Sequence, residues 1–383
     1  MIEFQEFSAR KIVNVHRHVD GPWFWDKYSA HPYVGCRSGC EFCFLRGGRY
    51  LGRRDPATFD TLIQVKVNAP ALLKKELARL EKDVIVCGDW QQPAEDRYRL
   101  SREMLEVVYD FGFPLFVVER SPLIARDLDL LESINARAWT GVVMSISSMD
   151  DGVKRAFEPR SPGVKRRLQA MKSLAEAGIL TGAALMPLIP KVGDDPAQIE
   201  EIIRAVRDHG GAFVLGGSLT MEGTQAERTL VAARKRDPGL EAEWRELYGW
   251  NDTGKPNYSP PAPYSARLLM TIRELCIRFG MKDRMPRYIL PGPLASNKVI
   301  AERLFLRTYD LELEQAQSSR IWAYRRAAWT VDEYAESIDI LYRQGGEAAL
   351  RELPGIGPRI AAQIARWLRE DGETRRQGKT VPA

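Results

Sequence analysis

Gly141-Val-Val-Met-Ser-Ile-Ser147, a helical pattern over 164–177, then Ala183-Ala-Leu-Met-Pro-Leu-Ile189: the reading of this stretch decides the fold. Each apolar run is continuous rather than alternating, the pattern of a strand buried on both faces. The same alternation extends outward in both directions. Upstream, the run 84–87 leads to a helix at 102–111, and 114–118 leads to one at 123–134. Downstream, 183–189 leads to 197–208, and 212–219 to 224–236. An earlier helix, 70–82, opens on Pro70, which suits a first helical turn. Strands separated by helices predict a parallel sheet covered on both faces. Six such units predict an α/β fold, a partial (β/α)6 TIM-like barrel, with chemistry at the carboxyl ends of its strands.

Ahead of these units stands Cys36-Arg-Ser-Gly-Cys40-Glu-Phe-Cys43, a C-x3-C-x2-C spacing that would follow the first strand. Three thiolates this close can converge on one soft metal centre. Four cysteines would close a [4Fe–4S] cluster, so three leave one iron open to a substrate or cosubstrate. Zinc is the other reading, with His31 as a fourth ligand, but zinc sites often pair two C-x2-C units and no second pair exists. Three clustered cysteines out of five in 383 residues are no extracellular disulfide framework. His16-x-His18 lacks a third ligand nearby and reads as surface or packing.

The length predicts two or three domains, and 44% hydrophobic content is ample for a core. The opening Met-Ile-Glu-Phe-Gln-Glu has no basic n-region or apolar h-region, so no signal peptide is expected. No apolar run approaches 18 residues, so no membrane partner is expected. Free cysteines fit a reducing cytoplasm. The net charge of +5 is mild, but its distribution is uneven. Arg46, Arg49, Arg53 and Arg54 follow the cysteines, and Lys154, Arg155, Arg160, Lys165, Arg166 and Arg167 crowd another stretch. Such clusters suit a polyanion or a solvated basic surface.

Near the C-terminus, Thr330-Val-Asp-Glu333 has a capping-box pattern. Val331, Tyr334, Ala335, Ile338, Leu341 and Tyr342 then follow a helical period that Gly345 and Gly346 would end. Leu353-Pro-Gly-Ile-Gly-Pro-Arg-Ile-Ala361 lies between two helical patterns. Gly355 and Gly357 allow close approach of a partner. Pro358 starts a helix whose bare N–H groups, beside Arg359, make a ready phosphate site. This looks like a helix-hairpin-helix module, the type found in DNA repair proteins and polymerases. Ala323-Tyr-Arg-Arg-Ala-Ala328 resembles the approach to that module in repair polymerases. The implied partner is the sugar-phosphate backbone of DNA, bound with little sequence preference. Residues 320–383 hold 11 basic and nine acidic residues, so the motif carries this reading and charge adds little.

The cysteine spacing, with Phe42 just before the last cysteine, resembles the cluster loop of the radical S-adenosylmethionine (SAM) enzymes. The first 220 residues resemble the spore photoproduct lyase branch of that superfamily. The motifs are His31-Pro-Tyr-Val-Gly-Cys36, Gly88-Asp-Trp-Gln-Gln-Pro-Ala-Glu95, Glu119-Arg-Ser121 with Arg126-Asp127, and Glu158-Pro159 with Arg166-Arg-Leu168. The resemblance implies a [4Fe–4S] cluster on Cys36, Cys40 and Cys43, and S-adenosyl-L-methionine as cosubstrate. A one-electron reductant such as flavodoxin or ferredoxin would supply the electron. It implies Phe42, Arg120, Ser145, Arg167 and Glu95 around SAM, with Glu95 pairing the methionine amino group. It implies Cys87 as hydrogen-atom donor to the product, because that is where the lyase's donor cysteine falls; a small buried core residue is the other reading. One departure stands out. The lyase has tyrosines flanking its last cluster cysteine, whereas Phe42 and Phe44 have no O–H with which to relay a radical.

The expected organisation is a radical SAM barrel over 1–236, an extension of unassigned role over 237–318, an all-α helix-hairpin-helix domain over 319–372 and a polar tail over 373–383. The expected activity is hydrogen abstraction from a DNA base, for lyase-type lesion repair or modification. RNA modification by the same route and a non-catalytic nucleic-acid-binding iron–sulfur protein are the alternatives.

Overall fold

The computed structural model describes residues 2–376 apart from 20, 22, 52–53, 89 and 251–253. Arg53 therefore lies outside the described residues, as does Asp89 of the Gly88–Glu95 run. The chain divides into two compact units, 1–16 with 26–285, and 17–25 with 286–383. No helix among the described residues is long and apolar enough to cross a membrane.

The first unit is built on ten strands: β1 (Glu3–Phe7), β2 (Val13–Val15), β3 (Tyr28–Ala30), β4 (Tyr33–Val34), β5 (Leu62–Lys66), β6 (Ile85–Gly88), β7 (Leu115–Glu119), β8 (Thr140–Ser145), β9 (Leu180–Leu188) and β10 (Phe213–Ser218). Seven of them form one sheet in the order β10-β9-β8-β7-β6-β3-β2. All neighbours pair parallel except β2 with β3. The six parallel strands are the expected (β/α)6 set. β1, β5 and β4 form a separate small sheet.

Register decides which way each side chain points. Ala30 pairs with Cys87, Cys87 with Val117, and Val117 with Val142. Paired residues share a face, and neighbours along a strand alternate. The row containing Cys87 shares one continuous core with Leu73, Met104, Leu105, Val108, Ile199 and Ile202 from the helices. It is the helix-facing side. Val86, Val143 and Ser145 fall on the opposite side.

Helices lie close to their sequence expectations, with Leu100–Phe111, Val164–Glu176 and Pro196–Asp208 covering the sheet. The expected helix at 123–134 splits into a 3-10 turn over Pro122–Asp127 and a helix over Leu128–Arg137. The division by contacts runs differently from the boundaries drawn on the sequence. Helices Pro238–Tyr248 and Ala262–Phe279 belong to the first unit, and Ala295–Leu313 to the second.

In the second unit the expected capping box at Thr330–Glu333 does not form. Helix Ser318–Asp332 runs through Thr330, whose hydroxyl donates to the Pro354 carbonyl at 2.9 Å. The next helix starts later, at Ile338. Buried Asn297 fixes the break: it donates to the Tyr334 and Glu336 carbonyls and accepts from the Ile338 N–H at 2.8 Å. Such a tertiary tie overrides a local capping signal. Gly346, at φ 62° and ψ −152°, leaves the helical path where the sequence expects that helix to end, and a second helical segment follows it to Arg351.

Candidate active site

The cysteine loop leaves β4 at the carboxyl end of the first parallel strand. Cys36 and Cys40 are buried and Cys43 is half-buried. Cys43 packs against two apolar groups, a small one of Cys36, Leu51 and Phe59, and a larger one that includes Cys40, Phe42 and Phe157. Gly39 turns the loop with φ 59°, a conformation that L side chains avoid.

Side chains from distant segments hold the loop's carbonyls. Arg160 donates to Arg37 O at 3.0 Å, Arg46 to Cys40 O at 3.3 Å, Thr229 to Glu41 O at 3.1 Å and Gln225 to Phe42 O at 3.2 Å. Asp60 joins Arg46 and Arg160 as a common counterion. Burial opposes ionisation of Asp60, but these two guanidinium groups outweigh it and hold its pKa below the ordinary value. Part of the supposed polyanion surface is taken up internally: Arg46 and Arg167 are buried, Arg54 donates to Leu62 O, and Arg160, though exposed, is tied to Asp60, whereas Arg155, Lys165 and Arg166 are exposed.

Beside the loop lies a narrow pocket lined by Phe42, Ser147, Ser148, Lys154, Phe157 and Glu158. Arg120 stands 5.5 Å over the Phe42 ring and pairs with Glu158. Arg167 also pairs with Glu158 and donates to Ser145 O at 2.9 Å. Burial would raise the Glu158 pKa, but the charges of Arg120 and Arg167 hold it down at about 2. Four residues marked on the sequence, Phe42, Arg120, Ser145 and Arg167, are thus brought together. The sequence reading missed two members of the group. In the sequence Glu158 stands only as part of the Glu158-Pro159 motif, and nothing there marks Ser147. The Ser147 hydroxyl is buried without a hydrogen-bond partner.

Two other marked residues are directed elsewhere. Cys87 is fully buried on the helix-facing side of the sheet, the side opposite Ser145. Burial pushes its thiol pKa well up, and Glu119 adds to the shift. It sits as a core residue. Glu95, also fully buried, accepts from the Tyr33 hydroxyl, from Ser101 N at 2.9 Å and from Arg126 at 2.9 Å. Both of its oxygens are committed to holding the chain after β6. His31 donates from Nδ1 to Gly88 O at 3.3 Å, since a carbonyl can only accept. Burial lowers its pKa to about 4. Gln92 donates to Gly35 O at 3.1 Å, tying the same segment to the residue before Cys36. His16 bonds Ser29 and Asp26, and His18 bonds Glu333.

The donor chemistry fits an iron–sulfur cluster. The loop offers three soft thiols, and in a [4Fe–4S] cluster each iron takes its own thiolate. Among the described residues, no three His, Cys, Asp or Glu side chains gather as they would around a single ion. The unpartnered Ser147 hydroxyl, in the pocket that Phe42 lines, and Arg120, over the Phe42 ring and paired with Glu158, give polar contacts for a zwitterionic cosubstrate beside that loop.

Comparison with known proteins agrees. Residues 31–206 match the radical SAM superfamily and residues 296–372 match the helix-hairpin-helix domain family. The chain therefore carries a radical SAM enzyme domain, which uses a [4Fe–4S] cluster and SAM, and a helix-hairpin-helix domain. An uncharacterised protein of Mycobacterium tuberculosis (strain ATCC 25618 / H37Rv) is 26% identical over 263 residues, covering 67% of this chain and 77% of that protein. A Pseudomonas phage M6 protein named radical SAM Nalpha-GlyT isomerase is 26% identical over 191 residues, 48% of this chain and 38% of that protein. Among solved structures, spore photoproduct lyase complexed with dinucleoside spore photoproduct shares the fold. The TM-score is 0.53 at 17% identity, over 73% of this chain and 81% of that one.

Proposed function

We propose that this protein is a radical SAM enzyme that acts on bases of DNA. The observation that carries the reading is the presence, in one chain, of a radical SAM domain and a helix-hairpin-helix domain. The phage relative named for an isomerase and the fold shared with a lyase that binds a dinucleoside lesion support it.

In this reading Cys36, Cys40 and Cys43 hold the cluster. Arg120 and Ser147 bind polar groups of SAM over the Phe42 ring, while Glu158 and Arg167 fix the orientation of Arg120 and of the strand end at Ser145. Cluster and SAM together supply, on reduction, a 5′-deoxyadenosyl radical for hydrogen abstraction. The hairpin contributes affinity for the DNA backbone through amides at Gly355 and Gly357 and through Arg359. A damaged or unpaired base is the easier one to extrude from the stack.

Two outcomes remain for the base: repair of a lesion, or modification. The side on which Cys87 lies favours modification. A thiol facing the helices, with phenylalanines at 42 and 44, does not suit a cycle that returns hydrogen through a cysteine and a tyrosine relay. The deciding experiment uses anaerobically reconstituted protein, dithionite and SAM, with 5′-deoxyadenosine quantified against undamaged DNA, UV-irradiated DNA and matched RNA. Cys36→Ala should remove the product. Stimulation by undamaged DNA identifies modification, by irradiated DNA alone repair, and by RNA alone overturns the DNA reading. A loaded cluster that gives no 5′-deoxyadenosine with any of the three overturns the reading of a nucleic-acid substrate.

A further inference from the structure

Helix Ser318–Asp332 presents Trp322, Arg326 and Trp329 at positions i, i+4 and i+7, a single stripe on one face. The stripe borders the hairpin. Thr330, next to Trp329, donates to Pro354 O, and a Cβ on Gly355 would stand 3.8 Å from that of Arg326.

The aromatic part is built rigidly. His18 stacks on Trp329 at 4.4 Å and 15°, and its Nδ1 meets Glu333 at 2.7 Å. Trp329 Nε1 donates to Val19 O at 3.1 Å. Trp322 lies 6.2 Å from Trp329, with the Arg325 guanidinium 5.1 Å from its ring and Arg325 itself paired to Glu312. Yet Trp322 is 45% exposed. The ring thus has an aromatic and a cationic neighbour on the protein side and a large area open to solvent, the amphipathic contact surface that tryptophan supplies at interfaces.

The charge beside it is equally specific. Arg303, Arg343, Arg351 and Arg366 of the same unit are all ion-paired. Exposed Arg326 and Arg359, flanking the hairpin, have no side-chain hydrogen bond or ion pair among the described residues. Two free guanidinium groups and the bare amides of a helix start make an anion site, and the open indole lies next to it. Phosphates with a π-face alongside describe a nucleotide strand. A duplex hides its base faces, so only unpaired bases can stack there.

We propose that Trp322, backed by Trp329 and His18, is a stacking platform for unpaired bases of a DNA strand whose phosphates lie on the hairpin, Arg326 and Arg359. The module then selects gapped or single-stranded DNA over intact duplex. This rests on the DNA reading above, and the test keeps the two apart.

The full chain is titrated with labelled oligothymidine, a blunt duplex and the same duplex carrying a short gap. Trp322→Ala should weaken the oligothymidine and gapped DNA about tenfold and the blunt duplex hardly at all. Trp322→Phe should keep most of the affinity while losing part of the tryptophan quenching that oligothymidine causes. Equal binding of wild type and Trp322→Ala on all three DNAs overturns the platform. The double variant Arg326→Ala/Arg359→Ala should weaken all three. If it binds every DNA as wild type does, the hairpin's DNA role fails, whatever Trp322 does.

Discussion

The cysteine loop and the hairpin are both short, glycine-turned segments that offer reactive groups to a ligand, but they are held in opposite ways. The cysteine loop is fastened from afar. Gln225 and Thr229 reach its carbonyls from more than 180 residues downstream, and Arg160 reaches Arg37 O from 123 residues away. The hairpin closes mainly through its own backbone: Ile356 N–H donates to Leu353 O at 3.1 Å and Ala361 N–H to Gly357 O at 3.0 Å, with the Thr330 hydroxyl, 24 residues upstream, on Pro354 O. Gly355, at φ 78°, makes the turn. The difference follows from the ligands each must hold. A cluster loop needs several thiolates fixed together against reorganisation, which takes a preorganised shell. A phosphate site needs only a helix start facing solvent. Damage to the first should therefore spread through the barrel, while damage to the second should stay local.

The sharpest way to break that contrast is Glu158→Ala. Glu158 is buried between Arg120 and Arg167, and its removal leaves two guanidinium groups without their counterion. Breaking a buried pair from one side costs about 3–5 kcal/mol. Denaturant unfolding should show a loss of that order at pH 7. A loss under about 1 kcal/mol would mean that Glu158 is not an internal support of the barrel.

A pH titration sharpens it next. His31 is held neutral by burial, with its pKa lowered to about 4. Between that value and the ordinary 6.5, the unfolded chain binds the proton and the folded one does not, so stability rises with pH across this window. Falling from pH 7 to pH 5 should cost about 2 kcal/mol from this residue. His31→Gln should flatten the dependence in that window. Glu158 loses its contribution only lower, as the pH drops from the ordinary carboxylate range through about 2. A dependence unchanged by His31→Gln would remove His31 as its source.

What the sequence made legible follows the same division. Strand order, the helices on the sheet, the three cysteines and the hairpin were readable because each is written in consecutive residues. Apolar runs, a thiol spacing and a Gly-x-Gly-Pro turn are local signals. The support was not readable. Nothing near Phe42 announces Gln225, and nothing near Cys40 announces Asp60 as the counterion of Arg46. Cys87 shows the same limit at its finest grain. Its place at the end of a strand was right, but a one-residue alternation decides which face a side chain takes, and a continuous apolar run such as 84–87 carries no mark of face. Glu95 was legible as a motif member, but the Tyr33, Ser101 and Arg126 partners that commit it are tertiary. The break at 333–337 went unseen because buried Asn297 sets it from another helix.

The smallest effect on stability belongs to the hairpin, and it tests the contrast from its other end. Arg359 is exposed, and its side chain makes no hydrogen bond or ion pair among the described residues. Arg359→Ala should leave the unfolding free energy within about 0.5 kcal/mol of wild type, as surface substitutions do. The same change should weaken DNA binding similarly across sequences. It should also lower the slope of log affinity against log salt by about 1, the signature of one lost phosphate contact. The two readouts together discriminate, because a destabilised hairpin would also lose affinity, but with a shifted unfolding midpoint. Unchanged stability with an unchanged salt slope would take Arg359 out of the interface. A large stability loss would mean that the hairpin, like the cysteine loop, depends on side-chain ties for its shape.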